Sequence, residues 1–176
     1  NDLFSRIDKV FGRLDVLVNN AGVLKPQMPL LNMDAKRINE LLTTNITSTF
    51  ICSREAIKRM LPGSSIINVS SVAAKTGSPN EYIDYAATKG AIDTLTMGLA
   101  KEVACKGVRV NCVRPGLIYT DMHTDGGEEG RVERLKSNLP LRRGGQPEEV
   151  AAAIYFLASH SASFTTGTFI DVAGGL

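Results

Sequence analysis

Long apolar runs, a surplus of one charge and paired metal-ligand spacings are all missing from this 176-residue chain. The longest apolar run, Val150 to Ala158, is too short to span a bilayer. Lysine and arginine number 20 against 18 aspartate and glutamate, a net charge of +2 with no block of one sign. That balance argues against nucleic acid or an anionic membrane as a partner. Cysteine is scarce and odd in number: Cys52, Cys105 and Cys112 form no Cys-x-x-Cys, so reduced thiols in a cytosolic compartment are expected. His123 and His160 lack partners at metal-like spacing, so surface or local hydrogen-bonding roles are expected for them. The opening residues carry no targeting pattern, and the expected location is cytoplasmic. None of the 16 glycines makes a Gly-x-Gly pair, so a glycine-rich phosphate cradle is not visible in this stretch.

What is present is an ordinary globular composition, 43% hydrophobic and 22% charged, which fits one domain with a real core and argues against disorder. Apolar residues at Leu3, Phe4, Ile7, Val10 and Phe11 mark a helix closed by Gly12. Leu14 to Val18 reads as a strand meeting the turn Asn19-Asn20-Ala21-Gly22, and Lys25 to Asn32 as a loop. Asp34 is the expected N-cap of a long helix to about Met60. Its middle, Thr43 to Thr49, is poor in helix formers and predicts a bend near Asn45. Ser65 to Ser70 is a strand covered on both faces, Val72 to Glu81 a loop, and Tyr82 to Lys106 a second long helix closed by Gly107. Val108 to Val113 is a strand broken by Arg114-Pro115-Gly116. Leu117 to Gln146 holds five glycines and one weak helix around Glu128 to Ser137, and reads as mobile. Pro147 opens a helix to about Ser159, and Thr168 to Val172 is the last strand. Alternating strands and helices predict an α/β fold, a parallel sheet with helices on both faces. Two glycosylation-like sequons, at Asn45 and Asn68, fall inside expected core elements and read as chance matches.

The residues with chemistry cluster at strand ends. Tyr85 and Lys89 stand four apart on one helix, which puts a phenol and an ammonium a turn apart on one face. A nearby cation stabilises phenolate, so the pair could exchange a proton with an alcohol or carbonyl oxygen. Alone, the pair fits a solvated tyrosine beside a lysine; the context decides. Ser70-Ser71 end a buried strand, where open α/β sheets bind ligands, although a serine there also serves as a cap. Asn19 to Gly22 ends a neighbouring strand, Pro115-Gly116 a third, with Thr120 just beyond. The Asn45 amide serves either the site or an unpaired backbone group. Asp121 and Glu128-Glu129, in the mobile stretch, read as solvated charge.

Together these residues resemble the short-chain dehydrogenase/reductase family in its compact single-domain form, over essentially the whole chain. The family's Asn-Asn-Ala-Gly matches Asn19 to Gly22, its catalytic asparagine Asn45, and its serine Ser71. Its Tyr-x-x-x-Lys matches Tyr85 and Lys89, its Pro-Gly turn Pro115-Gly116, and Thr120 the residue that usually meets the nicotinamide carboxamide. Fourteen positions separate Ser71 from Tyr85, one more than is common in the family, so Ser70 stays an alternative and Ser71 is preferred. The resemblance implies a Rossmann-like fold and hydride transfer between NAD or NADP, with NADP preferred, and a small alcohol or ketone. Tyr85 would be general acid/base. Lys89 would lower its pKa and hold the nicotinamide ribose, Ser71 would polarise the substrate oxygen, and Asn45 would hold a water in a proton relay. Asn19, Ala21, Gly22, Pro115, Gly116 and Thr120 would line the cofactor. The resemblance also implies a substrate lid over residues 117–146, with substrate contact by Asp121 and Glu128-Glu129 as the alternative to solvated charge, and Tyr119 and Met122 lining either the pocket or the lid. It further implies a homo-oligomer, dimer or tetramer, paired through the two long helices.

A complete member of that family opens with a glycine-rich strand–turn–helix that receives the pyrophosphate. The expectation is therefore an N-terminally incomplete domain, short by about 70 residues if each βα unit runs to roughly 30. The absent part would also carry the residue that selects NAD or NADP. The strand at Leu14 to Val18 would then be an exposed apolar edge, and the isolated chain would bind dinucleotide poorly. The rival reading is a non-catalytic family member acting through its oligomer interface. A sugar-nucleotide epimerase, which shares Tyr-x-x-x-Lys, fits less well because no substrate domain follows the last strand.

Overall fold

The computed structural model describes residues 2–176. The first helix, α1 (Asp2–Val10), buries Phe4 in the core with Ile7 packed beside it, while Leu3, Val10 and Phe11 stay exposed. Gly12, at φ 65°, takes the left-handed turn that ends it. Strand β1 (Val16–Asn19) follows. The long helix expected from Asp34 is present but divided. Asp34 does cap it, its carboxylate accepting from the Arg37 N–H, and α2 (Ala35–Leu41) leads into a π-helical turn (Leu42–Thr47) and then α3 (Ser48–Ile57). The predicted bend is thus a π-turn: the Ser48 N–H reaches back five residues to the Thr43 carbonyl. Hydroxyls there compete for the helix carbonyls, Ser48 donating to Thr44 O and Thr49 to Asn45 O.

Strand β2 (Ser65–Val69) is wholly buried. The stretch expected as loop carries one short helix, α4 (Ala73–Thr76), before the long α5 (Ile83–Val103), which Gly107 at φ 70° closes after one 3-10 turn. Strand β3 (Arg109–Pro115) comes next. The glycine-rich stretch after it folds into two short helices rather than the expected one, α6 (Met122–Asp125) and α7 (Arg131–Leu135). Both are tied down: Arg131 pairs with Glu81 and lies over the Tyr82 ring, and Tyr82 donates to the Gly126 carbonyl. Pro147 at N1, with the Glu149 carboxylate accepting from the Gln146 N–H, starts α8 (Pro147–Ala158), and β4 (Phe169–Val172) ends the sheet.

The four strands are all parallel, in the order β1-β2-β3-β4. Successive residues of β2 face opposite layers, which is why its sequence reads as an apolar run. Ile66 packs with Ala56, Leu99, Val103 and Val110 under α1, α3 and α5. Ile67 packs with Val113 and Leu157 under α8. Among the described residues strand β1 pairs only with β2, and Val16 and Val18 are 39% and 40% exposed, so the expected apolar edge is present. Asn45 and Asn68 are buried, at 2% and 0% exposure, which removes both sequons as glycan acceptors. No described helix is long and apolar enough to cross a membrane.

Candidate active site

The strand register sets the site. Asn19 pairs with Asn68, Val69 with Val113, and Pro115 with Val172, so Asn20 to Gly22, Ser70-Ser71, Gly116 and Ala173 leave the sheet along one edge. That is the carboxyl edge, where parallel sheets bind ligands. Beneath it runs a buried polar row. Asn19 Nδ2 donates to Ser53 Oγ (3.0 Å) and to Asn68 Oδ1 (2.8 Å), and Asn68 Nδ2 donates to Thr96 Oγ1 (2.9 Å). Both amide protons of Asn19 are therefore spent inside the scaffold. The side chain locks β1 to β2 and α3. Asn20 and Ala21, exposed, are the residues of that turn that face solvent.

Asn45 projects from the π-turn into the same corner. Its Oδ1 accepts from the Val23 N–H (2.8 Å), and its Nδ2 donates to the Val23 carbonyl (3.1 Å) and to Thr88 Oγ1 (3.1 Å). Thr88 in turn donates to the Tyr85 carbonyl (2.7 Å). The amide is thus an internal clamp between the Gly22-Val23 loop and α5. A π-turn presents a side chain that a regular helix would direct elsewhere, and such turns concentrate at functional sites. Gly22 belongs to this corner: a Cβ on it would lie 3.4 Å from Asn45 Oδ1 and 3.6 Å from Lys89 Nζ.

Lys89 is buried, at 4% exposure, and its Nζ donates to the Val69 carbonyl at the end of β2 (2.8 Å). The same Nζ lies 5.4 Å from the Tyr85 ring centre. Burial pulls its pKa down to about 8, against the opposing influence of Cys112 and Asp93. Tyr85 is half-buried, and desolvation pushes its phenol up to about 12, the neighbouring Ser71 hydroxyl acting the other way. The phenol is thus held above its ordinary range by desolvation, with Ser71 as the opposing neighbour. Of the two candidate serines, Ser70 is buried and donates to the Lys89 carbonyl (3.0 Å), a helix-to-strand tie. Ser71 is partly open, takes the Ala73 N–H (3.1 Å) and reaches the Pro115 carbonyl (3.5 Å). Ser71 is therefore the one beside the phenol.

Pro115 and Gly116 sit where β3 meets β4. A Cβ on Gly116 would come within 2.8 Å of Ala173 Cα, so the glycine is required by the close approach of the segments that follow β3 and β4. Thr120 is exposed, its carbonyl accepting from the His123 N–H (3.4 Å). Tyr119 donates to Glu133 (2.7 Å), and Glu128 accepts from Gln27, Arg131 and Arg134, so these residues tie α6 and α7 to each other and to the loop before α2. His123 Nε2 bonds the Ile118 carbonyl (2.9 Å), a local role as expected. Thr88, Asn68 and Asp93 escaped the reading of the sequence. Thr88 alone carried a signal, since it lies inside the Tyr-x-x-x-Lys spacing.

Comparison with known proteins is consistent with this geometry. A family model described as enoyl-(acyl carrier protein) reductase matches residues 1–176. The chain is 60% identical to an Escherichia coli protein described as the uncharacterized oxidoreductase YgfF, over 98% of this chain and 72% of that protein. It is 43% identical to the Arabidopsis thaliana NADPH-dependent aldehyde reductase 1, chloroplastic, over 94% of this chain and 57% of that one. Among solved structures, a short-chain dehydrogenase/reductase, glucose/ribitol dehydrogenase, from Brucella melitensis superposes with a TM-score of 0.91 at 34% identity, over 99% of this chain and 69% of that one. Ligand-free aldohexose dehydrogenase of Thermoplasma acidophilum also gives 0.91, at 33% identity and 72% of its length. With the phenol, ammonium, hydroxyl and amide gathered at the carboxyl edge of a parallel sheet, and with relatives matched over nearly its whole length, this chain belongs to the short-chain dehydrogenase/reductase family.

Proposed function

We propose that the chain carries the proton-transfer centre of a nicotinamide-dependent oxidoreductase acting on a small alcohol or carbonyl compound. The observation that carries this reading is the convergence of Tyr85, Ser71 and Lys89, with Asn45 and Gly22 closing the corner, at the ends of β1 and β2. Tyr85 is a phenol at neutral pH and donates its proton to the substrate oxygen as a carbonyl becomes an alcohol; in the reverse direction the phenolate takes it back. Ser71 donates to the same oxygen and fixes it near the phenol. Lys89, held on the Val69 carbonyl, places positive charge beside the ring and so favours the phenolate formed after donation. Asn45 and Thr88 keep the Gly22 loop and the Tyr85 turn in fixed relation.

The residues present fit the nicotinamide and ribose end of the cofactor. An ammonium has three donors, of which the Val69 carbonyl takes one, leaving donors for ribose hydroxyls. Gly22 keeps the space over Lys89 free of a Cβ, and the exposed Asn20, Ala21 and Thr120 line the approach with Pro115-Gly116 behind. When bound, the nicotinamide supplies or accepts the hydride. The relative named as an NADPH-dependent aldehyde reductase supports NADP over NAD. Relatives named for glucose, ribitol and aldohexose put sugars and aldehydes first among substrates. Residues 117–146 form the substrate lid of this reading. Exposed Phe50 and Ile51 on α3 and Met97 on α5 support a homo-oligomer.

The test is turnover followed by absorbance at 340 nm, with a panel of aldehydes, sugars, ketones and acyl substrates. Tyr85→Phe, made in the full-length enzyme, should lose most turnover while cofactor binding is kept; unchanged turnover there would refute the assignment.

A further inference from the structure

We propose that Asp93 and Arg114 form a positioning pair for Lys89, keeping its ammonium charged from behind while its front faces the phenol. Asp93 lies one helical turn beyond Lys89 on the same face of α5, and both are buried, at 8% and 4% exposure. The carboxylate is held rigidly. Its Oδ2 accepts from Arg114 Nε (2.9 Å) and lies 2.8 Å from Arg114 Nη2, and its Oδ1 faces the Cys112 thiol at 3.8 Å. Arg114 is fixed in turn, stacked 3.9 Å from the Phe169 ring centre and 3.5 Å from Asp171, which also pairs with Lys75 on α4. A chain of alternating charges therefore runs from the surface through β4 and β3 to the lysine.

A buried lysine tends to lose its proton, because the ammonium is poorly solvated there. The groups facing Lys89 decide whether it does. From α5 come Tyr85 and Asp93, and from β3 comes Cys112. From β2 comes only the Val69 carbonyl, and from the loop and the π-turn come Gly22 and Asn45, which do not titrate. Cys112 is pushed up to about 12 by burial and is uncharged where Lys89 titrates, so of the two groups that oppose the lysine's loss of its proton only Asp93 can act as a charge there. Among the described residues, Asp93 is then the fixed negative charge that holds the ammonium, and Arg114 limits how strongly it does so.

This inference rests on the place given to Lys89 in the proposed function, and its test reads the lysine directly, whether or not the chain turns a substrate over. The full chain is labelled with [ε-13C]lysine, the Lys89 signal is assigned by its loss in Lys89→Gln, and its titration is followed by NMR. The unmodified chain should titrate near 8. Asp93→Asn should lower the midpoint by about one unit, as expected for one buried charge a turn away. Arg114→Gln should raise it, and Asp93→Glu should leave it near the starting value. A pair that served packing alone would loosen the site and move Asp93→Asn upward, toward an ordinary lysine. That result, or an unchanged midpoint, would overturn the proposal. Should Asp93→Asn fail to fold, Arg114→Gln and Arg114→Lys decide: a rise in the first that is absent in the second supports the pair, and equal shifts refute it.

Discussion

Replacing Asn45 by alanine removes three hydrogen bonds at one corner of the site, two to the Val23 backbone and one to Thr88. Each such bond contributes about 0.5–1.5 kcal/mol net, giving a gross loss of roughly 1.5–4.5 kcal/mol. The partners decide where in that range the cost falls. Val23 is 37% exposed, so its freed N–H and carbonyl regain water and add little penalty. Thr88 is 1% exposed but still donates to the Tyr85 carbonyl, so its hydroxyl is not orphaned. The buried amide volume itself is lost from a site at 2% exposure, which adds a small cavity cost. The expected destabilisation is about 2–3 kcal/mol, measured by urea unfolding at constant m-value. Because the clamp is local, hydrogen exchange at the Val23 amide should accelerate more than exchange in β2. A double-mutant cycle with Thr88→Val should return a coupling on the order of 1 kcal/mol. A loss under about 0.5 kcal/mol with unchanged Val23 protection would show that the π-turn is held by something other than this amide.

Three further outcomes follow from the geometry. Lys89 falls from 10.5 to about 8 on folding, so between those values the unfolded chain holds the extra proton and stability rises with pH. Cys112 rises from 9.0 to about 12 and Tyr85 from 10.0 to about 12, which act in the opposite sense above 9 and 10. Urea stability should therefore gain on the order of 1 kcal/mol from pH 8 to 9, level off, and fall beyond 10; a decline from 8 to 9 would refute the burial of a charged Lys89. Gly116→Ala places a methyl 2.8 Å from Ala173 Cα and 2.9 Å from its Cβ, and should cost about 1–3 kcal/mol, read as a Tm lowered by several degrees. Calorimetric titration of the 176-residue chain with NAD and NADP should show binding weaker than micromolar, since no Gly-x-Gly loop is present to receive the phosphates. Micromolar affinity for either would mean that the corner around Gly22 and Lys89 suffices.

Much of the fold was legible because it rests on local rules. Asp34 as a cap, Gly12 and Gly107 as left-handed stops and Pro147 at N1 each depend on neighbours within a turn. The apolar run of β2 announced cover on both faces, and the carboxyl-edge motifs announced the site. The division of the long helix at Asn45 was legible only as a weakness. Whether poor helix formers give a kink, a loop or a π-turn depends on what the freed side chains can bond, and Val23 and Thr88 are distant in the chain.

The sequence alone therefore determined the strands and the main helices, their parallel sense and which residues are chemically able to act. Those properties come from periodicity and from functional groups, and neither needs the third dimension. The tertiary structure decided what each candidate does with its hydrogen bonds. It committed the Asn19 and Asn45 amides to the scaffold, separated the buried Ser70 from the open Ser71, and set the phenol high and the lysine low by desolvation. A donor is available to a ligand only when no neighbour claims it, and a charge keeps its ordinary pKa only in water. Both conditions are set by residues that meet through packing, and spacing along the chain does not contain them.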